Sequence, residues 1–170
     1  RPDWNTQIAG FVPREGAVPG LRAAGACNGV FSTQACLESG ARAARAALGE
    51  MGLNVPEVPV PRTEDGAYDI QPLWHVPGKG RAWLDFQNDV TVKDVQLAAS
   101  ENFRSVEHMK RYTTQGMAPD QGKNSNIGAL AVLADATGQG IPKTGTTTYR
   151  RWRLPRSVRA GGGVALRRSG

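Results

Sequence analysis

Cysteine and histidine are nearly absent from this sequence, with two of each in 170 residues. Cys27 and Cys36 cannot staple a chain of this length and are too few for a thiolate zinc site. A reducing compartment, the cytoplasm, is therefore expected. His75 and His108 have no patterned partner, and no nucleophile–base pair is visible, so no catalytic residue is assigned. Long apolar runs are missing too: nothing approaches the roughly 18 to 20 residues of a membrane span, and no basic-then-apolar leader precedes the body. The chain opens Arg1-Pro2-Asp3-Trp4 in place of an initiator Met, which points to a fragment or a processed product. By contrast, 21 glycines and 11 prolines promise extensive loops in an otherwise globular composition.

The net charge of +6 suggests a nucleic-acid binder until it is located. Seven arginines (150, 151, 153, 156, 159, 167 and 168) and no acid lie from Arg150 to the end, leaving 14 basic and 15 acidic residues in the body. A uniformly basic face, the footprint of a phosphate-backbone binder, is not expected in the folded part. The reading is no nucleic acid and no membrane.

Residues 1–20, punctuated by Pro2, Pro13, Pro19 and three glycines, read as loop. Leu21 to Ala26 reads as a short strand, and Cys27 to Ser32 as a turn. Ala, Leu, Arg and Glu then dominate from Thr33 to about Met51, which predicts a helix closed by Gly52, with apolar residues at 36, 37, 41, 44, 47, 48 and 51 in one stripe. A strand, a glycine-containing turn and a helix start make an anion-binding end suited to a nucleotide phosphate, although tight packing alone also explains such a turn. Residues 53–80, with five prolines, read as a linker at a domain boundary, and His75 in it as a surface residue.

Residues 81–149 read as a second unit. Ala82 to Phe86 predicts a strand or extended entry. Thr91-Val92-Lys93-Asp94 is a capping box opening a helix to about Glu101, with Val92, Val95, Leu97, Ala98 and Ala99 mostly inside. Ser105 caps a second helix to about Thr114, and Gly116 ends it. A polar loop spans Asp120 to Ser125. A third helix, Asn126 to Thr137, presents Ile127, Leu130, Ala131 and Ala134 on one side and stops at Gly138. Such short helices need mutual packing. The tail from about Arg151 has no periodic apolar pattern and reads as disordered.

Several ordered segments in the second unit carry a resemblance. Leu84 through Asp94, Phe103 through Met117, Asp120-Gln121-Gly122-Lys123 and Gly145-Thr146-Thr147-Thr148-Tyr149 closely resemble the alpha subunit of heterotetrameric sarcosine oxidases. Trp4-Asn5, Phe11-Val12-Pro13 and the segment from Ala24 to Gly40 resemble the stretch directly upstream in that subunit. The resemblance implies an α/β remnant of a two-dinucleotide-binding-domain fold, like that of disulfide-oxidoreductase flavoproteins, followed by a small, mostly helical module. Its divisions are 1–52 for the end of the nucleotide domain, 53–80 for the linker, 81–149 for the module and 150–170 for the tail. The resemblance further implies a complex that demethylates sarcosine oxidatively, giving glycine, hydrogen peroxide and a one-carbon unit for tetrahydrofolate. In it, beta carries FAD and a covalently held FMN at the alpha–beta interface, delta binds zinc, and gamma completes the tetramer.

Carried over residue by residue, the family's NAD contacts fall on Ala26, Phe31 and Thr33. Flavin-binding relatives have Gly-Asp where this chain has Gly25-Ala26, which argues against FAD here. The helical module is similar to modules that hold a [2Fe–2S] cluster through four thiolates. Alignment places those four positions at Asp85, Gln87, Asp120 and Ser125, none of them cysteine, so no Fe–S cluster is expected. A face made by Arg111, Thr113, Thr114, Gln121 and Lys123 supplies cations, hydroxyls and amides, and the resemblance turns it toward the FMN. A solvated helix end accounts for the same residues. The tail departs from the family: where prolines would lead into a folate domain, Arg151-Trp152-Arg153-Leu154 follows, and a frame-shifted origin is the expectation. The competing readings are a non-catalytic scaffold fragment and a subunit of a related secondary-amine dehydrogenase.

Overall fold

The computed structural model describes residues 2–147; the frame-shift and disorder expectations for the tail lie outside them. Two antiparallel pairs and five helices make up the described fold. Strands β1 (Asp3–Asn5) and β2 (Gly10–Val12) form a hairpin in which Asp3 faces Val12 and Trp4 faces Phe11. This corrects the loop reading of residues 1–20. A three-residue pair shows no period of its own, and its hold is cross-strand: the Trp4 and Phe11 rings meet edge-on at 5.0 Å. The Arg14 guanidinium also reaches the Asp3 carboxylate at 2.7 Å.

The expected strand at 21–26 is a second correction. Ala24 is extended, with φ −142° and ψ 155°, but the chain then turns into a 3₁₀ segment, Gly25–Asn28. A strand requires a ladder partner, and no other segment among the described residues pairs with this one. The parallel sheet of a dinucleotide-binding half is accordingly not seen among them. The Gly25 amide instead donates to the hydroxyl of Ser39, which is buried on the following helix.

That helix, α1 (Thr33–Glu50), forms where the composition placed it. Ser32 caps it by accepting the Ala35 amide. Its end is a Schellman closure, in which Leu53 donates to the Leu48 carbonyl and Gly52 to that of Gly49. The apolar stripe is only half covered, with Leu37 and Met51 exposed. Residues 53–80 contain no helix or strand, and His75 is exposed.

The core lies in the second unit. Strands β3 (Trp83–Asp85) and β4 (Val90–Thr91) pair antiparallel and lead into α2 (Val92–Ser100) through the expected capping box. Helices α3 (Val106–Thr113), α4 (Asn126–Ala136) and α5 (Ile141–Thr144) follow. Val90, Val92, Val95, Ala98, Val106, Met109, Leu130 and Leu133 are buried together, and Phe11 of the hairpin packs against them. Two packing expectations are corrected. Leu97 points outward, nearly half exposed, and α4 is covered from Ala129 to Ala134 on every side. A helix apolar all round is a central one, and α2 and α5 pack on it.

Candidate functional site

Two places concentrate the residues singled out by the sequence. The first is the head of α1. A cleft of about 350 Å³ is lined there by Phe31, Ser32, Thr33, Glu64, Asp65, Tyr68 and their neighbours Gly66 and Ile70. Phe31 and Thr33 thus meet on one concave surface. Ala26, the third expected NAD contact, sits in the 3₁₀ turn and is not part of the lining.

The anion-binding character expected of this helix start is altered by the chain itself. The Gln34 amide donates to both carboxylate oxygens of Asp65, at 3.1 and 3.2 Å. The Gln34 side-chain carbonyl accepts from the Thr63 amide at 2.9 Å, and the Phe31 and Tyr68 rings meet edge-on at 6.1 Å. A carboxylate at a helix N-terminus satisfies a free amide and offsets the positive end of the helix dipole. Sequence reasoning missed Asp65, since nothing in a Pro-rich stretch announces a bond to an amide 31 residues away.

The second place is the loop system around β3 and α4, which includes three of the four positions aligned with thiolate ligands. Asp85 is 2% exposed. Its Oδ1 accepts the Gln87 and Asn88 amides at 2.9 and 3.2 Å, and its Oδ2 accepts the Gly116 amide at 2.8 Å. Buried Ser125 accepts from Gln115 Nε2 at 2.7 Å, and Asp120 Oδ1 accepts the Gly122 amide at 3.1 Å. Gln87 faces solvent and joins the system only through its amide. Gly116 and Gly122 have φ of +65° and +72°, and a Cβ on either would lie 2.2 Å from Asn126 Oδ1. That oxygen is buried without a hydrogen-bond partner, as is Gln115 Oε1. Its neighbours are the two glycine backbones, which a side chain would displace. Among the described residues, no three His, Cys, Asp or Glu side chains gather as a metal site would require.

The expected FMN face is not drawn into one concavity. Thr113 lines a cleft of about 270 Å³ between the β3–β4 turn, α2 and α3, which it shares with Asp89 and Asp94. Its hydroxyl is already used: it donates to the Met109 carbonyl and accepts the Gln115 amide. Arg111 lies 3.6 Å from Glu107 one turn back. Thr114 takes a left-handed conformation as the α3 cap, and its carbonyl accepts from Asn88. Gln121 and Lys123 are exposed on the loop beyond. As a phosphate cradle the five fit poorly, because carboxylates neighbour Thr113 and Arg111. As an exposed edge that could meet another chain, Arg111, Thr114, Gln121 and Lys123 remain available.

No helix among the described residues is long and apolar enough to cross a membrane. A family model described as the sarcosine oxidase A3 domain matches residues 79–162, which take in the core and the hydrogen-bonded loops. The sarcosine oxidase subunit alpha of Rhizobium meliloti (strain 1021) is 43% identical over 163 residues, covering 94% of this chain. The subunits alpha of Corynebacterium sp. strain P-1 and strain U-96 are 38% and 37% identical, covering 86% and 87% of it. The chain spans 16% of the length of each of these relatives. It belongs to the sarcosine oxidase alpha-subunit family.

Proposed function

We propose that this chain is one section of the alpha subunit of a sarcosine oxidase complex, contributing a wall of a nucleotide pocket and a surface toward the flavin-bearing subunit. The reaction of that complex is the oxidative demethylation of sarcosine to glycine, with hydrogen peroxide and one-carbon transfer to tetrahydrofolate. The observation that carries the reading is the identity of 37 to 43% maintained over 86 to 94% of the chain.

Within this reading, Phe31 and Thr33 hold part of an NAD molecule, and Ala26 supports the turn from which Phe31 projects. NAD, when bound, supplies a hydride-accepting nicotinamide, while this chain binds and orients it. Arg111, Thr114, Gln121 and Lys123 form the surface toward the beta subunit and its FMN, with Thr113 serving the helix end. The module holds no Fe–S cluster, and its loops are fastened by Asp85, Asp120 and Ser125. Gamma and delta complete the assembly, and the cytoplasm is its compartment.

Two measurements test the proposal: calorimetric titration of the chain with NAD, and co-purification with the beta subunit after co-expression. Saturable binding of one NAD per chain together with a stable alpha–beta complex is the expected result. Failure of both refutes the proposal. Co-purification without NAD binding favours the scaffold reading, which the Asp65 carboxylate at the α1 start independently supports.

A further inference from the structure

A backbone amide can attack the side chain of an asparagine directly before it, and it does so most readily when it belongs to a glycine, which has no Cβ to hinder ring closure. The chain has seven asparagines, and only Asn28 precedes a glycine. The fold leaves this one unprotected. Asn28 is exposed, ends the single 3₁₀ turn Gly25–Asn28, and makes no side-chain hydrogen bond among the described residues. By contrast, Asn5 Oδ1 accepts the Gln7 amide, and the side-chain amides of Asn88 and Asn126 donate to the Thr114 and Gln121 carbonyls. The Gly29 nitrogen itself donates to the Ala26 carbonyl at 3.1 Å. That bond closes one short, exposed turn, so local opening frees the amide at low cost.

The surroundings of the turn give such a reaction a consequence. Gly29 has a φ of +82°, and a Cβ built on it would lie 3.0 Å from Asn5 Nδ2, 3.2 Å from Ile8 Cδ1 and 3.3 Å from Val12 Cγ1. The turn is therefore seated closely against the β1–β2 hairpin, and a longer backbone at this point displaces it.

We propose that Asn28 is a self-modification site. The Gly29 nitrogen bonds to Asn28 Cγ, the Cγ–Nδ2 bond breaks, and Nδ2 leaves as ammonia with the proton that Gly29 gives up. Water then opens the cyclic imide at one carbonyl or the other. The products are an aspartate in ordinary linkage and an isoaspartate, in which the side chain has become part of the backbone. One water is consumed, one ammonia is released, and nothing is oxidised or reduced. Both products place a new carboxylate next to the hairpin, and the isoaspartate also adds a methylene to the main chain, so the hairpin loses its seat.

The test is peptide mapping by mass spectrometry of the full chain, incubated folded at mildly acidic and mildly alkaline pH. Asn28 is expected to convert at least about tenfold faster than any other asparagine, since its turn opens locally and glycine follows it. Both products should form, faster at the alkaline pH because the attacking amide must lose its proton. Asn28→Gln, whose side chain would have to close a larger ring, should release ammonia far more slowly, with circular dichroism confirming that it is folded. Hydrogen exchange over residues 3–12 should be faster in the converted chain than in the unconverted one. Conversion of another asparagine first, or ammonia release unchanged in Asn28→Gln, overturns the modification site. Conversion at Asn28 with hairpin exchange unchanged overturns the loss of the hairpin's seat.

Discussion

Removing the Asp85 carboxylate should unfasten the second unit at a single point. Two of its hydrogen bonds, from the Gln87 and Asn88 amides, close the turn between β3 and β4. The third, from the Gly116 amide at 2.8 Å, ties that turn to the loop after α3. Gly116 is buried, so in Asp85→Ala its N–H has no water to turn to. A hydrogen bond to a charged acceptor is worth about 1.5–3 kcal/mol, and a buried donor left unsatisfied costs about 1–3 kcal/mol. We count the Gly116 bond in full and discount the two turn amides, which solvent can reach. Asp85→Ala then loses about 3 kcal/mol, on the order of a hundredfold in the folding equilibrium.

Asp85→Asn sharpens the test because shape is kept while one acceptor becomes a donor. The remaining oxygen serves either the turn or Gly116, never both, so the expected loss is about 1.5 kcal/mol. Urea unfolding followed by far-ultraviolet circular dichroism reads both variants. Midpoints should fall in the order wild type, Asn, Ala, with similar slopes. If Ala costs under about 1 kcal/mol, or Asn costs as much as Ala, the carboxylate is not the fastening described.

Gly122→Ala should cost about 2–4 kcal/mol, since its φ is +72° and the new Cβ would lie 2.2 Å from Asn126 Oδ1 and 2.4 Å from its Cγ. In an Asn126→Ala background the added cost should fall to about 1 kcal/mol of left-handed strain, and an additive double-mutant cycle by urea unfolding would disprove the clash. The Tyr112 hydroxyl donates to Glu101, which holds its pKa above the ordinary tyrosine value of about 10. A raised folded-state pKa means that this contact stabilises fully below about pH 10 and is lost as pH rises through the folded value. The ultraviolet difference titration between wild type and Tyr112→Phe should show the upward shift, and Glu101→Gln should lower it; a Tyr112 that titrates normally in the wild type refutes the contact.

The features legible beforehand are those whose cause is local. Thr91 and Asp94 lie three residues apart and make the capping box without outside help. Ser105 finds the His108 amide, and α1 and α4 end at glycines in left-handed conformations. The features missed depend on partners distant in sequence. The hairpin of residues 3–12 exists because Asp3 and Val12 pair, whereas Leu21 to Ala24 has no such ladder partner among the described residues. Apolar spacing in α4 identified one face, but Ala129, Val132 and Leu133 bury the other as well, because neighbouring elements close over it. In the candidate site, composition placed the helix start at Thr33, while Phe31 and Thr33 were legible as site residues only through the family resemblance. Asp65 was not, since any acid of the Pro-rich stretch reads alike before the chain folds back.

The loops of the second unit are held by several short polar bonds at separate points. Here Asp85 joins the β3–β4 turn to Gly116, Ser125 receives Gln115 at the start of α4, and Asp120 folds its loop onto Gly122. Each bond contributes about 0.5–3 kcal/mol, the larger values where the carboxylate is buried. None reaches far, so the two glycines must let Asn126 sit between their backbones if the loop is to close at all. The geometry depends on small residues and short polar side chains acting together. A single thiolate introduced at Asp85 would therefore weaken the framework, since it cannot accept from the turn and from Gly116 as the two carboxylate oxygens do.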